Sequence, residues 1–346
     1  MTTHRLPILD LRDFTHGEPA RRDGFVTQLR DTAHRVGFFY LTGFGAAPTQ
    51  AHAVLQAARV FFALPHTQKQ ALAMENSPHF RGYTAAGEEI TRGQRDWREQ
   101  LDIGAERPPL PEATADHAWK RLQGPNQWPA SLPSLQPLLL GWQTTLTHAA
   151  QQLLQALALA LGQHAHHFET AFADTPVQHL KIIRYPGREA HHSGQGVGAH
   201  KDSGCLTLLL QDTQAGLQVL EREGDAKGHW IDVPPVEGTV VINLGEVLEI
   251  LTQGYLRATT HRVVSPAGGN SRLSVAFFLS PRLDASLSPI RLPADLQAQA
   301  PGVDQDPHNP LIAHTGRNLL KGRLRSHPEV TRRFYADVAV STEAIP

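Results

Sequence analysis

The chain has one cysteine, Cys205, in 346 residues, which excludes an intrachain disulfide and any zinc or iron-sulfur site built from several thiolates. An excess of either charge is also missing. Thirty-two basic residues face 33 acidic ones, leaving a formal charge of -1, so no bulk field draws the protein to nucleic acid or to an anionic membrane. Long hydrophobic runs are absent: the longest apolar stretch, LLQALALAL at 153–161, is too short to span a bilayer. The N-terminal MTTHRLPILDL lacks the basic-then-apolar layout of a secretory signal. These absences predict a soluble, cytoplasmic protein, a monomer or small homo-oligomer, whose partner is a small molecule. With no thiolate cluster, a bound metal must be held by nitrogen and oxygen, and the 20 histidines are the reservoir.

What is present is a core: 40% of the residues are apolar, enough for one large domain or two ordinary ones. Hydrophobic periodicity predicts helices over 21–36 and 48–63, the second stopped by Pro65. A longer helix runs from about Pro137, with Leu139, Trp142, Leu146, Ala149, Leu153, Leu157 and Ala160 at three- and four-residue steps, and ends at Gly162. The stretch 76–135, rich in proline and glycine, reads as loop. Beyond the long helix the period changes to that of strands: HLKIIRYPG, CLTLLLQD, GLQVLE, HWIDV, TVVINL, ATTHRVVS and SRLSVAFFLS, with a helix near 246–253. The expected fold is mainly β with flanking helices, an all-β sandwich or jelly roll. We expect residues 1–135 to form a helical and loop region packed on a core of 136–346, which ends in helix.

The chemistry is concentrated in the strands. GVGAHKDSG contains the one H-x-D of the chain, His200 and Asp202. If both lie on one strand, residues two apart share a face and the imidazole and carboxylate point together. His261, 59 positions after Asp202 in ATTHRVVSP, supplies a third ligand. Two histidines and one carboxylate make a triad that holds Fe(II) on one side and leaves positions open for O2 and a chelating substrate. Arg272 and Ser274 in SRLSVAFF are again two apart. An arginine fork plus a hydroxyl suits the far carboxylate of a keto acid chelating the metal.

Other metal-capable stretches read as structural. Three H-x-E tripeptides compete (His16/Glu18, His167/Glu169, His327/Glu329), and HAHHFE at 164–169 follows a helix C-terminus, where cationic side chains favour the dipole. His191 and His192 read as turn or rim residues, Cys205 as a small buried residue, and KGRLRSHPEVTRRFY as a basic helical cap with its charges on the surface.

HKD, HRV and RLS in this order resemble the isopenicillin N synthase-like Fe(II)/2-oxoglutarate-dependent dioxygenases, and the likeness covers most of the chain. LPILDL and RVGFFYLTGFG look like that group's N-terminal region, with Gly43, Phe44 and Gly45 replacing its usual asparagine-histidine-glycine. INLGEVLEILTQGYLRATTHRVV is similar to its approach to the second histidine. The resemblance implies a double-stranded β-helix, with His200, Asp202 and His261 on iron and Arg272 and Ser274 on 2-oxoglutarate. Tyr185 in IIRYPG matches a tyrosine that helps hold the cosubstrate, while Ile183 replaces the asparagine often found two residues earlier.

The implied reaction oxidises a C–H bond of a small molecule by hydroxylation, desaturation or cyclisation, and releases succinate and CO2. Two members of the group keep the arginine-serine pair without using 2-oxoglutarate, so an iron oxidase independent of the keto acid is the rival enzyme, and a non-catalytic jelly-roll binding module is the rival of another class. Apolar strand residues are expected to line the pocket. The loop FRGYTAAGEEITRGQRDWREQ lies where related proteins place substrate contacts, which makes Arg81, Tyr83, Glu88, Thr91 and Arg98 the candidates; Arg184 should face away from Tyr185.

Overall fold

A computed structural model describes residues 6–91, 93–187, 194–221, 228–303 and 310–338. His191 and His192 lie outside them. The strands are β1 Ile8–Asp10, β2 Phe38–Thr42, β3 Gly82–Thr84, β4 Ile90–Thr91, β5 Gln94–Arg95, β6 Glu99–Gly104 and β7 Pro176–Tyr185. They continue as β8 Gln195–His200, β9 Leu206–Gln211, β10 Leu217–Glu221, β11 His229–Asp232, β12 Val240–Leu244, β13 His261–Val264 and β14 Arg272–Arg282.

Two sheets face each other. The larger has eight strands in the order β1-β2-β12-β9-β14-β7-β6-β3, the smaller four in the order β11-β10-β13-β8. This is the jelly-roll core that the alternating runs imply. Strands β1, β2, β3 and β6, all from the first 135 residues, complete the larger sheet. The stretch 76–135 is therefore not simply loop. Its longest strand, EQLDIG, escapes a reading by apolar alternation because its first, second and fourth residues are charged or amidic, yet all six are buried.

Alternation sorts each strand of the larger sheet into two faces. Leu180, Ile182, Leu101, Ile103, Leu273, Val275, Phe277 and Leu279 point to the helical layer and join one core. In that layer the helix Leu135–Ala160 buries Leu139, Trp142, Leu146, Ala149, Leu153, Leu157 and Ala160, the stripe its periodicity predicts. Gly162 terminates it at φ +70°, a left-handed position where a Cβ would also strike Pro293. Tyr185, Ile183, Val197, Leu217, Val219, Val241, Val263 and Ala276 come from both sheets and form a second cluster between them.

One ion cluster joins the helical layer to the sheet. Glu99, on the outer face of β6, accepts from Lys69 Nζ at 2.8 Å and from Tyr83 Oη at 2.6 Å, and pairs with Arg184. Arg184 does face away from Tyr185. Lys69 is 6% exposed and Glu99 3%, so removing the carboxylate strands a buried ammonium. Glu99→Ala is expected to cost about 3–5 kcal/mol in urea denaturation. A loss below about 1 kcal/mol would mean that Lys69 reaches water by relaxing.

Candidate metal centre and cosubstrate site

An edge strand of the smaller sheet, β8, and its neighbour β13 bring the two histidines together. His200, the last residue of β8, is the register partner of His261, the first of β13, and their ring centroids lie 4.3 Å apart. Asp202 is not on a strand with His200, as its spacing suggested: β8 ends at His200, and the carboxylate enters from the turn before β9. That turn is pinned by its backbone, since the Asp202 carbonyl accepts from Glu246 N at 2.8 Å. Asp202 Oδ1 lies 3.5 Å from His200 Nε2 and 3.7 Å from His261 Nε2, and one ligand atom from each residue falls within 4.8 Å of the others. Among the described residues, this is the one such group of three or more metal-capable side chains.

Hydrogen bonds aim these atoms. His200 Nδ1 is 2.8 Å from Gly198 O and His261 Nδ1 3.1 Å from Thr259 O. A carbonyl can only accept, so each proton sits on Nδ1 and each Nε2 keeps its lone pair for a metal. Asp202 Oδ2 accepts from Thr207 Oγ1 at 2.5 Å and Asn243 Nδ2 at 2.8 Å, which turns Oδ1 toward the histidines. Burial pushes the Asp202 carboxyl up, but His261, His200 and the Thr207 hydroxyl together hold it well below the ordinary range. Burial, reinforced by His200, pushes His261 down to about 4, so it is neutral at pH 7. An ionised carboxylate and a neutral imidazole are protonation states that ligation requires. Thr207→Val or Asn243→Leu is expected to weaken Fe(II) binding about 10–100-fold in a chelator competition, by freeing the carboxylate to rotate. Unchanged affinity would assign the orientation of Asp202 to its turn alone.

Behind the triad, Arg272 and Ser274 share the inner face of β14 and both are fully buried. The Arg272 guanidinium lies 5.1 Å from the Tyr185 ring centroid, across the β7–β14 register, and donates through Nη2 to Gln211 Oε1 at 2.8 Å. Its Nε and Nη1, and the Ser274 hydroxyl, are buried with no hydrogen-bond partner. Three orphaned donors around one guanidinium carry a heavy desolvation cost unless an anion meets them. A carboxylate of a keto acid would satisfy that demand, so the residues fit both a metal and such an acid. Ile183 lies on this face beside Ser274 and Gln100, and offers no hydrogen bond.

The loop candidates divide. Arg81 is buried and donates to the carbonyls of His79 and Leu122, and with Arg107 and Trp119 it lines a separate cavity of about 340 Å³. Tyr83 serves Glu99 on the helix side. Glu88 is exposed and accepts from Ala85 N. Thr91 does approach the centre, and Arg98 joins the acidic residues beside it. Thr91 donates to Asp96 Oδ2 at 2.7 Å and crowds Gly198, where an added Cβ would meet its Cγ2 at 2.9 Å. Asp96 Oδ1 in turn accepts from Gly198 N at 3.2 Å, on the residue whose carbonyl orients His200. Arg98 pairs with Glu89 at 2.7 Å and Asp96 at 3.4 Å.

Two expectations are corrected on the inner face. Its β6–β7 side is ionic rather than apolar: Gln100 and Asp102 of β6 stand opposite Ile183 and Lys181 of β7, and His179 Nε2 lies 2.7 Å from Asp102 Oδ1. The basic C-terminal segment is helical, Thr315–Ser326 and Pro328–Phe334, but part of it turns inward. Arg323 reaches Asp102 at 3.2 Å, and buried His327 lies 3.8 Å from Glu89. Burial pushes His179 down to about 3 and His327 to about 4, so both are uncharged at pH 7. The readable signal was polar residues at i and i+2 inside otherwise apolar strand runs, QLD and HLK. HAHHFE, by contrast, is surface, with His166 and Glu169 exposed and 3.1 Å apart, and Cys205 is 1% exposed in the core.

A jelly roll with two histidines and a carboxylate at one end of its cleft, and a buried arginine with free donors behind them, defines a mononuclear non-haem iron oxygenase that takes a keto acid. The chain belongs to the 2OG-Fe(II) oxygenase superfamily, whose model matches residues 176–281, while a model described as the N-terminal region of non-haem dioxygenases in morphine synthesis matches 6–131. It is 35% identical to the 2-oxoglutarate-dependent dioxygenase frbJ of Dothideomycetidae sp. (strain 11243), over 96% of this chain and 93% of that protein. It is 34% identical to the homoarginine-6-hydroxylase 2-ODD-C23 of Glycine max, over 77% of this chain and 80% of that protein. A full-length Neurospora crassa protein, solved with alpha-KG and 5-formyluracil, has the same fold at a TM-score of 0.75 and 24% identity, with 93% of this chain and 96% of that one covered. The protein is thus an Fe(II)- and 2-oxoglutarate-using oxidoreductase. No helix among the described residues is long and apolar enough to cross a membrane.

Proposed function

We propose that this enzyme oxidises an unactivated C–H bond of a small molecule, by hydroxylation or a related desaturation or ring closure, with His200, Asp202 and His261 as the iron ligands. Arg272, Ser274 and Tyr185 hold the distal carboxylate of 2-oxoglutarate. The observation that carries this reading is the set of buried, unpartnered donors on Arg272 and Ser274, which a keto acid chelating the neighbouring metal would satisfy. When bound, iron and keto acid would supply the oxidising chemistry: one oxygen atom of O2 goes to succinate as CO2 leaves, the other to the substrate in hydroxylation or to water in desaturation or ring closure. The chain's part is to bind, orient and exclude water. His200 and His261 present fixed lone pairs, Thr207 and Asn243 keep Asp202 turned to the metal, and Arg272 sets the direction in which the cosubstrate lies. Of the five loop candidates, we favour Thr91, which crowds Gly198, and Arg98, which carries an unpartnered buried Nε, as residues that act near substrate. Residues 1–135 and 136–346 work as one unit in this reading, because β6 carries part of the inner face.

Two measurements test it. Anaerobic Fe(II) with 2-oxoglutarate should give a weak visible charge-transfer band, and turnover should release one succinate per O2 consumed. Turnover that needs no keto acid would replace the reading with the rival oxidase. Binding of small molecules with neither band nor succinate would leave only the binding module.

A further inference from the structure

The register of the larger sheet arranges its inner face in layers. Phe278 is level with Thr207 on one side and His179 on the other; Thr207 is level with Asn243, so this is the layer that anchors Asp202. Ala276 lies level with Lys181, which lies level with Asp102; Ser274 is level with Ile183 and Gln211, and Arg272 with Tyr185. The residues that anchor Asp202 belong to β9 and β12, the cosubstrate grip to one end of β14, and the strand residues of the ionic group to β7 and β6. From β9 to β7 is two strands, about 10 Å at the usual strand spacing. A small molecule anchored on the ionic group therefore lies on the same inner face as the layer that anchors Asp202.

The ionic group is balanced and incomplete. Its carboxylates are Glu89, Asp96 and Asp102, its cations Arg98, Lys181 and Arg323. Lys181 lies 3.5 Å from both Glu89 and Asp102. Gln100 is fully buried and donates through Nε2 to Asp102 Oδ2 at 2.8 Å, which fixes the orientation of its amide, since a flip would set oxygen against carboxylate. Its Oε1 has no partner, nor does Arg98 Nε. So one acceptor and one charged donor, both buried, stand unmet in a cluster whose charges already cancel.

We infer that Gln100, Arg98 and Lys181 select a compact polar substrate of zero net charge that presents an N–H donor beside an oxygen acceptor, as an α-amino acid zwitterion or a lactam-type heterocycle does. A guest with a net charge would unbalance three buried ion pairs, and an apolar guest would leave Gln100 Oε1 and Arg98 Nε unmet. The ammonium or ring N–H meets Gln100, the carboxylate or carbonyl meets Arg98 and Lys181, and the carbon to be oxidised points toward the layer of Thr207 and Asn243 that anchors Asp202. This rests on the oxygenase reading, so the test must separate the two.

Substrate-stimulated succinate release is measured with three panels: free amino acids, pyrimidine and other lactam bases, and apolar terpenoids and phenylpropanoids. The expected result is stimulation by the first or the second panel, which also tells the two sources apart, and none by the third. Gln100→Leu and Lys181→Met should each lower kcat/KM for the stimulating compound about 10–100-fold, the loss of one hydrogen bond to a charged or buried group, while the KM for 2-oxoglutarate changes less than twofold. Glu88→Gln, on the exposed loop, is the control. Because a substitution in a buried cluster can disturb folding, the thermal shift of the wild-type holoenzyme on adding the stimulating compound is read in parallel. Stimulation by the apolar panel alone, or variants with unchanged kcat/KM, overturns this inference while the charge-transfer band and succinate stoichiometry leave the oxygenase reading intact. Loss of the band in the wild-type enzyme would overturn both.

Discussion

His200→Ala is expected to abolish the anaerobic charge-transfer band and to reduce turnover by three orders of magnitude or more, with the fold preserved. The size follows from the role: a metal that stabilises the transition state by several kcal/mol is lost with its ligand, and each ~1.4 kcal/mol is tenfold in rate. The fold should survive because His200 makes one hydrogen bond, to Gly198 O, and its side chain is 32% exposed. That separates it from Asp202→Ala, which also strands Thr207 and Asn243. The measurements are an Fe(II) titration under anaerobic conditions and succinate release under air, with urea denaturation as the control. Retained band and activity would place the metal elsewhere and end the assignment.

Arg272→Met should separate affinity from stability. Removing two charge-assisted hydrogen bonds worth about 1.5–3 kcal/mol each raises the KM for 2-oxoglutarate by about 100-fold or more. Without the keto acid the same change should cost little stability, about 1 kcal/mol or less, because a buried guanidinium with two unpartnered nitrogens gives way to an apolar chain of similar reach. In the enzyme as it stands, burial already lowers the Arg272 pKa from its ordinary value, a sign that no protein carboxylate fully compensates the charge. Unchanged KM with full turnover would show that the keto acid is held elsewhere. A large loss of stability would instead make Arg272 a structural residue of the β7–β14 pair.

The inner face of β14 was legible because its cause is local. Residues two apart on a strand share a face whatever surrounds them, so the placing of Arg272 with Ser274 follows from the spacing alone. The stripe of the helix Leu135–Ala160 follows in the same way from the 3.6-residue turn. The same argument applied to His200 and Asp202 names a pair that the structure does bring together, but not by a shared strand. The strand stops at His200, and the carboxylate arrives from a turn held by the backbone of Glu246, a contact 44 positions away in the chain. Tyr83, on β3, and Arg81, just before it, were expected to contact substrate, yet one is drawn to Glu99 and the other to two carbonyls.

Periodicity and residue chemistry by themselves determined the two-faced strands, the flanking helices, and the three side chains able to hold a metal with an arginine-hydroxyl pair to follow. Only the tertiary structure decided what stands opposite them. Gln100 and Asp102 become an interior polar surface because Lys181, His179 and Arg323, from as far as 221 positions away in the chain, close around them. Burying a charge is tolerable only when its partners are present at contact distance, and no local pattern records which distant residues those will be.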